Sequence, residues 1–165
     1  MTKFLNFDLN DEIAAKNTIA EWATHDQALG YHENFYSPDN WPGVLGQRAF
    51  FDLYPRYIDN TETLSKFDFY HFLTREMGEI KTRGGNYPWK SYYNVSMDAR
   101  QWNTKPYQLI VYCYYCFPTK VLLVLGWNKK EVFAENIEDH FFACGTDMPN
   151  GIGWRRIRTC LWYTS

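Results

Sequence analysis

Apolar and polar positions change their period once along this chain. In residues 10–29, "NDEIAAKNTIAEWATHDQAL", Ile13, Ile19, Trp22 and Ala23 recur at near-helical intervals after an Asn/Asp start, and Gly30 is placed to end the helix. A loop with Pro38, Pro42 and Gly43 follows. "VLGQRAFFDLYPRY" then sets Val44, Ala49, Phe50 and Leu53 on a second helix, which Pro55 should stop. From Leu64 the period shortens. "LSKFDFYHFL" and "EMGEIKTR" read as two strands with "TRE" turning between them, and "SYYNVS" reads as a third strand after a Gly84-Gly85 and Pro88 loop.

Ser96 can cap a short helix over "MDARQW". "YQLIVYCYYC" and "KVLLVLGW" are continuous apolar runs, as expected of central strands covered on both faces. "KKEVFAENIEDHFF" reads as partly helical, and "WRRIRTCLWY" alternates like an edge strand with its arginines outward. The pattern predicts an α/β fold with a central mixed β-sheet flanked by helices. With no internal repeat and no Gly/Ser linker, 165 residues form a single domain, 1–165, in this reading.

Composition narrows the class. Hydrophobic residues make up 45% and aromatics 19% of the chain, too apolar for disorder and suited to a strand-rich core. No window holds the roughly 18 uninterrupted apolar residues of a membrane span, and "MTKFLNFDLNDEI" lacks the pattern of a signal peptide. A soluble, cytoplasmic protein without a membrane partner is therefore expected. Cys113 and Cys116 have CxxC spacing, but residues three apart on a strand point to opposite faces; with Cys144 and Cys160 isolated, free and mostly buried thiols are the simpler reading.

The net charge of −2 conceals an uneven distribution. Residues 1–62 carry ten acids and four bases, whereas residues 81–105 carry Lys81, Arg83, Lys90, Arg100 and Lys105 against Asp98. Such an excess is either a solvated face or a local strip for phosphates.

The candidate chemistry lies in "KFDFYHFLTREMGEIKTRGG", residues 66–85. Alternation places Glu79 and Lys81 on one face of a strand and Ile80 on the other, and a hairpin brings Asp68 near Glu79. Two adjacent carboxylates repel unless a cation lies between them, and oxygen donors alone favour Mg²⁺ or Mn²⁺. Lys81 would then stand where it can hold or polarise a water. These are the parts of metal-assisted phosphodiester hydrolysis. The alternative is a surface hairpin whose charges form solvated salt bridges.

An aspartate on one strand followed by Glu-x-Lys on the next resembles the core pattern of the PD-(D/E)XK nuclease superfamily, which has the restriction-endonuclease-like fold. "KTRGG" is similar to the ending of its catalytic strand, "SYYNVSMDARQW" to its next strand and helix, and "GVLGQRAFFDLY" to its first core helix. The resemblance covers roughly residues 43–130, which makes 1–42 an N-terminal helical extension and 131–165 a helix/strand tail. It implies metal ligation by Asp68, Glu79 and the carbonyl of Ile80, with Lys81 orienting the attacking water. It further implies phosphate contacts from Thr82 and Arg83, and support from Gln101. Gln47 stands where the family often carries a metal-facing glutamate, a departure that weakens the implied metal set.

The remaining histidines, His25, His32, His71 and His140, show no metal-ligand spacing, and His71 falls on the face opposite Asp68. Glu33, in the N-terminal region, is a further carboxylate that could approach the site through folding. Tyr87 and Trp89, beside Lys90, suit either stacking on unpaired bases or core packing. The expectation is a small metal-dependent DNA endonuclease of the phage or mobile-element kind, a junction resolvase or a repair-type nuclease. Cutting both strands commonly takes two sites, so a homodimer fits it. Two other readings stand beside it: a nucleic-acid-binding module that has lost catalysis, suggested by Gln47, and a protein-binding inhibitor, suggested by the net charge of −6 over residues 1–62.

Overall fold

The structure, a computed structural model, describes residues 3–28, 38–60, 68–90, 95–98, 108–129, 137–140 and 154–157. Its centre is β6, Leu109–Cys116, in which all eight residues are buried. A strand apolar on both faces must be covered on both and flanked on both edges. On one edge β6 pairs antiparallel with β7, Val121–Lys129, through a tight turn in which Lys120 takes a positive φ and donates its N–H to the Cys116 carbonyl at 2.9 Å. On the other edge it pairs in parallel with β4, Met77–Gly85.

Short strands extend the sheet outward. β1, Lys3–Asn6, joins β7; β3, Phe69–His71, joins β4; β2, Tyr57–Asp59, joins β3. The order is β1-β7-β6-β4-β3-β2, a mixed six-stranded sheet curled into a half-barrel with two helices, so the chain is α/β as expected. A separate three-stranded sheet is built from β5, Val95–Asp98, β8, Ile137–His140, and β9, Trp154–Ile157.

Helix α1, Leu9–Ala28, opens with a reciprocal cap: Asp11 donates its N–H to Asp8 Oδ1 at 2.8 Å, and Asp8 donates its own to Asp11 Oδ2 at 2.9 Å. Its inward stripe is Glu12, Ala15 and Ile19, whereas Ile13 is exposed. The expected face is thus rotated, because Glu12 is drawn inward. Glu12 Oε1 accepts the Tyr115 hydroxyl at 2.6 Å and the Lys120 ammonium at 2.9 Å, tying α1 to the end of β6 and the following turn. Helix α2, Pro42–Leu53, buries Leu45, Gly46, Ala49 and Phe50, and ends before Pro55 as the sequence suggests. The core joins these residues to Phe69, Ile80, Val111, Cys113 and Tyr115 from the sheet. Cys113 and Cys116 are both free and buried, and burial pushes the Cys113 thiol up to about 12, against a weak downward pull from Thr82.

Four expectations need correction. Met97 and Asp98 lie on β5, not in a helix capped by Ser96, because Val95–Asp98 is taken up in a ladder with β9. A single capping signal over a few residues does not meet the cost of nucleating a helix when strand partners are at hand. Likewise Ile137–His140 is a strand, and β9 lies between β5 and β8, at the centre of its sheet instead of an edge. Gly84 and Gly85 belong to β4 and pair with Tyr115 and Cys116, because rings press on them from both sides. A Cβ on Gly84 would fall 2.4 Å from Phe117, and one on Gly85 2.1 Å from the Tyr114 hydroxyl. No helix among the described residues is long and apolar enough to cross a membrane. The rest of "MDARQW", the loop 31–37, Cys144 and Cys160 lie outside the described residues.

Two outcomes are expected. A Cβ on Gly78 would sit 2.0 Å from the Phe69 ring, so Gly78→Ala should lower stability by about 1–3 kcal/mol in urea unfolding. Burial raises the Glu12 carboxyl, but the Tyr115 hydroxyl and the Lys120 and Lys16 cations outweigh it and hold it below its ordinary 4.5. A depressed carboxyl stabilises above its unfolded value and loses that contribution as pH falls through its folded one. The stability gap between wild type and Glu12→Gln should therefore be full near neutrality and shrink below about pH 4.5, as read from unfolding curves across that range.

Candidate active site on the β3–β4 hairpin

The hairpin is built by its turn and by one ring. Arg75, at a positive φ, donates its N–H to the His71 carbonyl at 2.9 Å, and His71 Nδ1 accepts from the N–H groups of Leu73 and Thr74, both at 3.2 Å. His71, the last residue of β3, thus uses its side chain to hold the turn. Phe69 packs over Gly78, its partner across the strands, and this fixes the register. Asp68, the residue before β3, bonds to the main chain of Gly78 and Ile80, the residues on either side of Glu79.

Asp68 binds in three directions. Its N–H reaches the Gly78 carbonyl and its carbonyl receives the Asn60 N–H, both at 2.9 Å, while Oδ2 receives the Ile80 N–H at 2.8 Å. One residue therefore joins β2, β3 and β4, with its carboxylate in the place of a ladder carbonyl. The N–H and C=O of a strand residue point the same way, so the Ile80 carbonyl also faces the Asp68 side of β4.

Glu79 is only 2% exposed, and its Oε1 lies 2.9 Å from Lys81 Nζ. The alternation Glu79, Lys81, Arg83 puts all three on the face away from α2, beside Ile110, Tyr112 and Tyr114 of β6. Tyr112 is buried next to Lys81 in register. Burial pushes its phenol well above the ordinary range despite the opposing pull of Arg83. The solvated hairpin weighed from sequence does not describe Glu79, which is among the most buried side chains in the protein.

The structure thus brings Asp68, Glu79, Ile80 and Lys81 together. It does not bring Thr82 with them. The Thr82 hydroxyl is buried against Gly46 of α2, on the core side, so the expected phosphate contact from Thr82 is corrected. Gln47 is half-buried on α2, the helix that covers this same Ile80–Thr82 side. Arg83 and Lys90 are exposed. Gln101, Arg100 and Lys105 lie outside the described residues, as do His32, Glu33 and the side chains of His25 and His140. Tyr112 and Tyr114 stand beside Lys81 and Arg83 without being among the expected site residues. The signal was present in "LIVYCYYC", where two tyrosines share one parity on a strand parallel to Glu79-Ile80-Lys81.

Two carboxylates and a main-chain carbonyl form an all-oxygen donor set that suits a hard divalent ion completed by water. Among the described residues no group of three His, Cys, Asp or Glu side chains gathers to hold a metal. No protein-family model matches the chain, and neither curated proteins nor solved structures give a match to it.

A stability test follows from the buried pair. Lys81→Met leaves the Glu79 carboxylate buried beside an apolar chain, which for fully enclosed pairs costs about 3–5 kcal/mol. The Lys81 side chain keeps 24% exposure, so about 2 kcal/mol is expected. Adding Glu79→Gln should return more than half of that loss in urea unfolding. Simple additivity of the two substitutions would show that the pair is not coupled.

Proposed function

We propose that this protein is a metal-dependent nuclease that hydrolyses phosphodiester bonds of DNA on a restriction-endonuclease-like core. The observation that carries the reading is the convergence of Asp68, Glu79 and Lys81 on one face of one hairpin, with Glu79 almost fully enclosed. Enclosing a carboxylate is costly, and a surface ornament does not require it. The placement of the parts also supports the resemblance: helix α2 comes first, the aspartate precedes β3, and Glu79-Ile80-Lys81 lies on β4.

Asp68, Glu79 and the Ile80 carbonyl would hold Mg²⁺ or Mn²⁺, which when bound neutralises phosphate charge and acidifies water. The chain supplies the rest. Asp68 Oδ2 accepts the Ile80 N–H, which positions the carboxylate beside β4. Lys81 Nζ, held by Glu79 Oε1, is placed to orient a water with one proton and to stabilise charge that develops on a phosphate oxygen. Exposed Arg83, two residues on and on the same face, continues that positive edge.

A second reading has its own support. Glu79 paired to Lys81 and Asp68 bonded to Ile80 N–H are also what a scaffold without catalysis would keep as structural devices. On that reading the fold binds nucleic acid and cuts nothing.

The deciding experiment is cleavage of supercoiled plasmid and branched DNA with Mg²⁺, Mn²⁺ or EDTA, by wild type, Asp68→Asn and Lys81→Ala, each shown folded by circular dichroism. Metal-dependent cutting reduced at least about 100-fold in both variants is expected, the scale of losing a positioned charge. Cutting that survives EDTA, or that both variants retain, rules the site out. Salt-sensitive DNA binding by a folded wild type that never cuts selects the second reading.

A further inference from the structure

Beyond the hairpin, β4 runs into loop 86–90, and hydrolysis gives no role to what stands there. Tyr87 is 70% exposed. An exposed aromatic is ordinary by itself, but this one is held. The Tyr114 hydroxyl donates to the Tyr87 carbonyl at 2.5 Å, and Trp89 rests on the Tyr114 ring with centroids 5.3 Å apart. Tyr114 is buried, and it passes over β4 only because Gly85 has no side chain in its way. The main chain that carries Tyr87 is thus anchored to a buried support, and its ring faces water.

The chain leading to and from the ring carries charge of one sign. Between Lys81 and Lys90 the chain carries Lys81, Arg83 and Lys90 and no acid, and Arg83 and Lys90 are exposed. An exposed aromatic on an anchored segment of chain, beside cations, suits an unpaired nucleotide, whose base stacks while its phosphates lie along the basic stretch. Bases inside a duplex are already stacked and offer no such face.

We infer that Tyr87 is a stacking platform for an unpaired base. The substrate of the proposed nuclease is then single-stranded or flapped nucleic acid; the word substrate rests on that proposal, while the binding does not.

The test is fluorescence anisotropy in EDTA, so that no cutting intervenes. Labelled oligo-dT, oligo-rU and a duplex of the same length are titrated with wild type, Tyr87→Ala and Tyr87→Trp. Loss of one base–aromatic stack should weaken single-strand binding about 5- to 100-fold in Tyr87→Ala. Tyr87→Trp should keep it, and duplex binding should not change. The dT and rU arms show whether the platform serves DNA or RNA. The inference is overturned if wild type does not bind either oligomer, if Tyr87→Ala binds them as wild type does, or if duplex binding falls equally. Wild type that binds through Tyr87 yet cuts nothing with metal leaves the platform standing and removes the nuclease reading. Cutting with no dependence on Tyr87 does the reverse.

Discussion

Eight consecutive residues without solvent on either face, Leu109–Cys116, constrain everything else in this fold. Such a strand needs a partner on each edge and a layer on each side. The β7 hairpin arm is the local partner. The other edge is closed by β4, whose parallel pairing requires the chain to cross between Gly85 and Leu109. That crossing aligns Glu79 with Ile110, Lys81 with Tyr112 and Arg83 with Tyr114, so three charged residues are set in a row on a wall of buried apolar and aromatic side chains. The candidate site is thus a consequence of how β6 is flanked.

The same wall explains the state of Glu79. Beside Ile110 and Tyr112 its carboxylate is removed from water, a placement that costs several kcal/mol for an isolated charge. Lys81, two residues along, is near enough to offset part of that cost and is itself only partly enclosed. Asp68 completes the arrangement differently. Its Oδ2 replaces a ladder acceptor for Ile80, so its position follows from main-chain geometry and not from the charge of Glu79. Two carboxylates on one face are therefore held by separate devices, one backbone and one ionic.

How far the sequence discloses this varies with the physics of each element. β6 and β7 were legible because length and unbroken apolarity leave few alternatives, and α2 because Pro42 and Pro55 bracket it. The hairpin was legible because Asp68 and Glu79-Ile80-Lys81 have strand parity. β1 and β2 were not: four and three residues carry too little periodicity to stand out, and both exist only as edges of a sheet assembled elsewhere. The rotation of α1 was hidden because it depends on Tyr115 and Lys120, more than a hundred residues away. Gly84 and Gly85 misled because glycine pairs usually mark turns, whereas here the space they leave is filled by Phe117 and Tyr114. Thr82 misled for a related reason. Its parity with Ile80 was plain, but the resemblance drew it to the outer rim, and Gly46 of α2 shows that it faces the core.

Gly85 and Tyr114 link the two proposals through one packing event. The ring of Tyr114 lies on the same face as Lys81 and Arg83, closes the far end of that row, and reaches across Gly85 to hold the Tyr87 carbonyl. A shift of β6 relative to β4 would disturb both the surroundings of the charged row and the anchor of Tyr87, because one register sets both. A strand register that places charged residues at every second position and leads to an exposed aromatic gives a linear track along one face of the sheet. On the two proposals, such a track would suit a chain-like polyanion better than a compact one, because charge and ring are spread along the strand instead of gathered in a pocket.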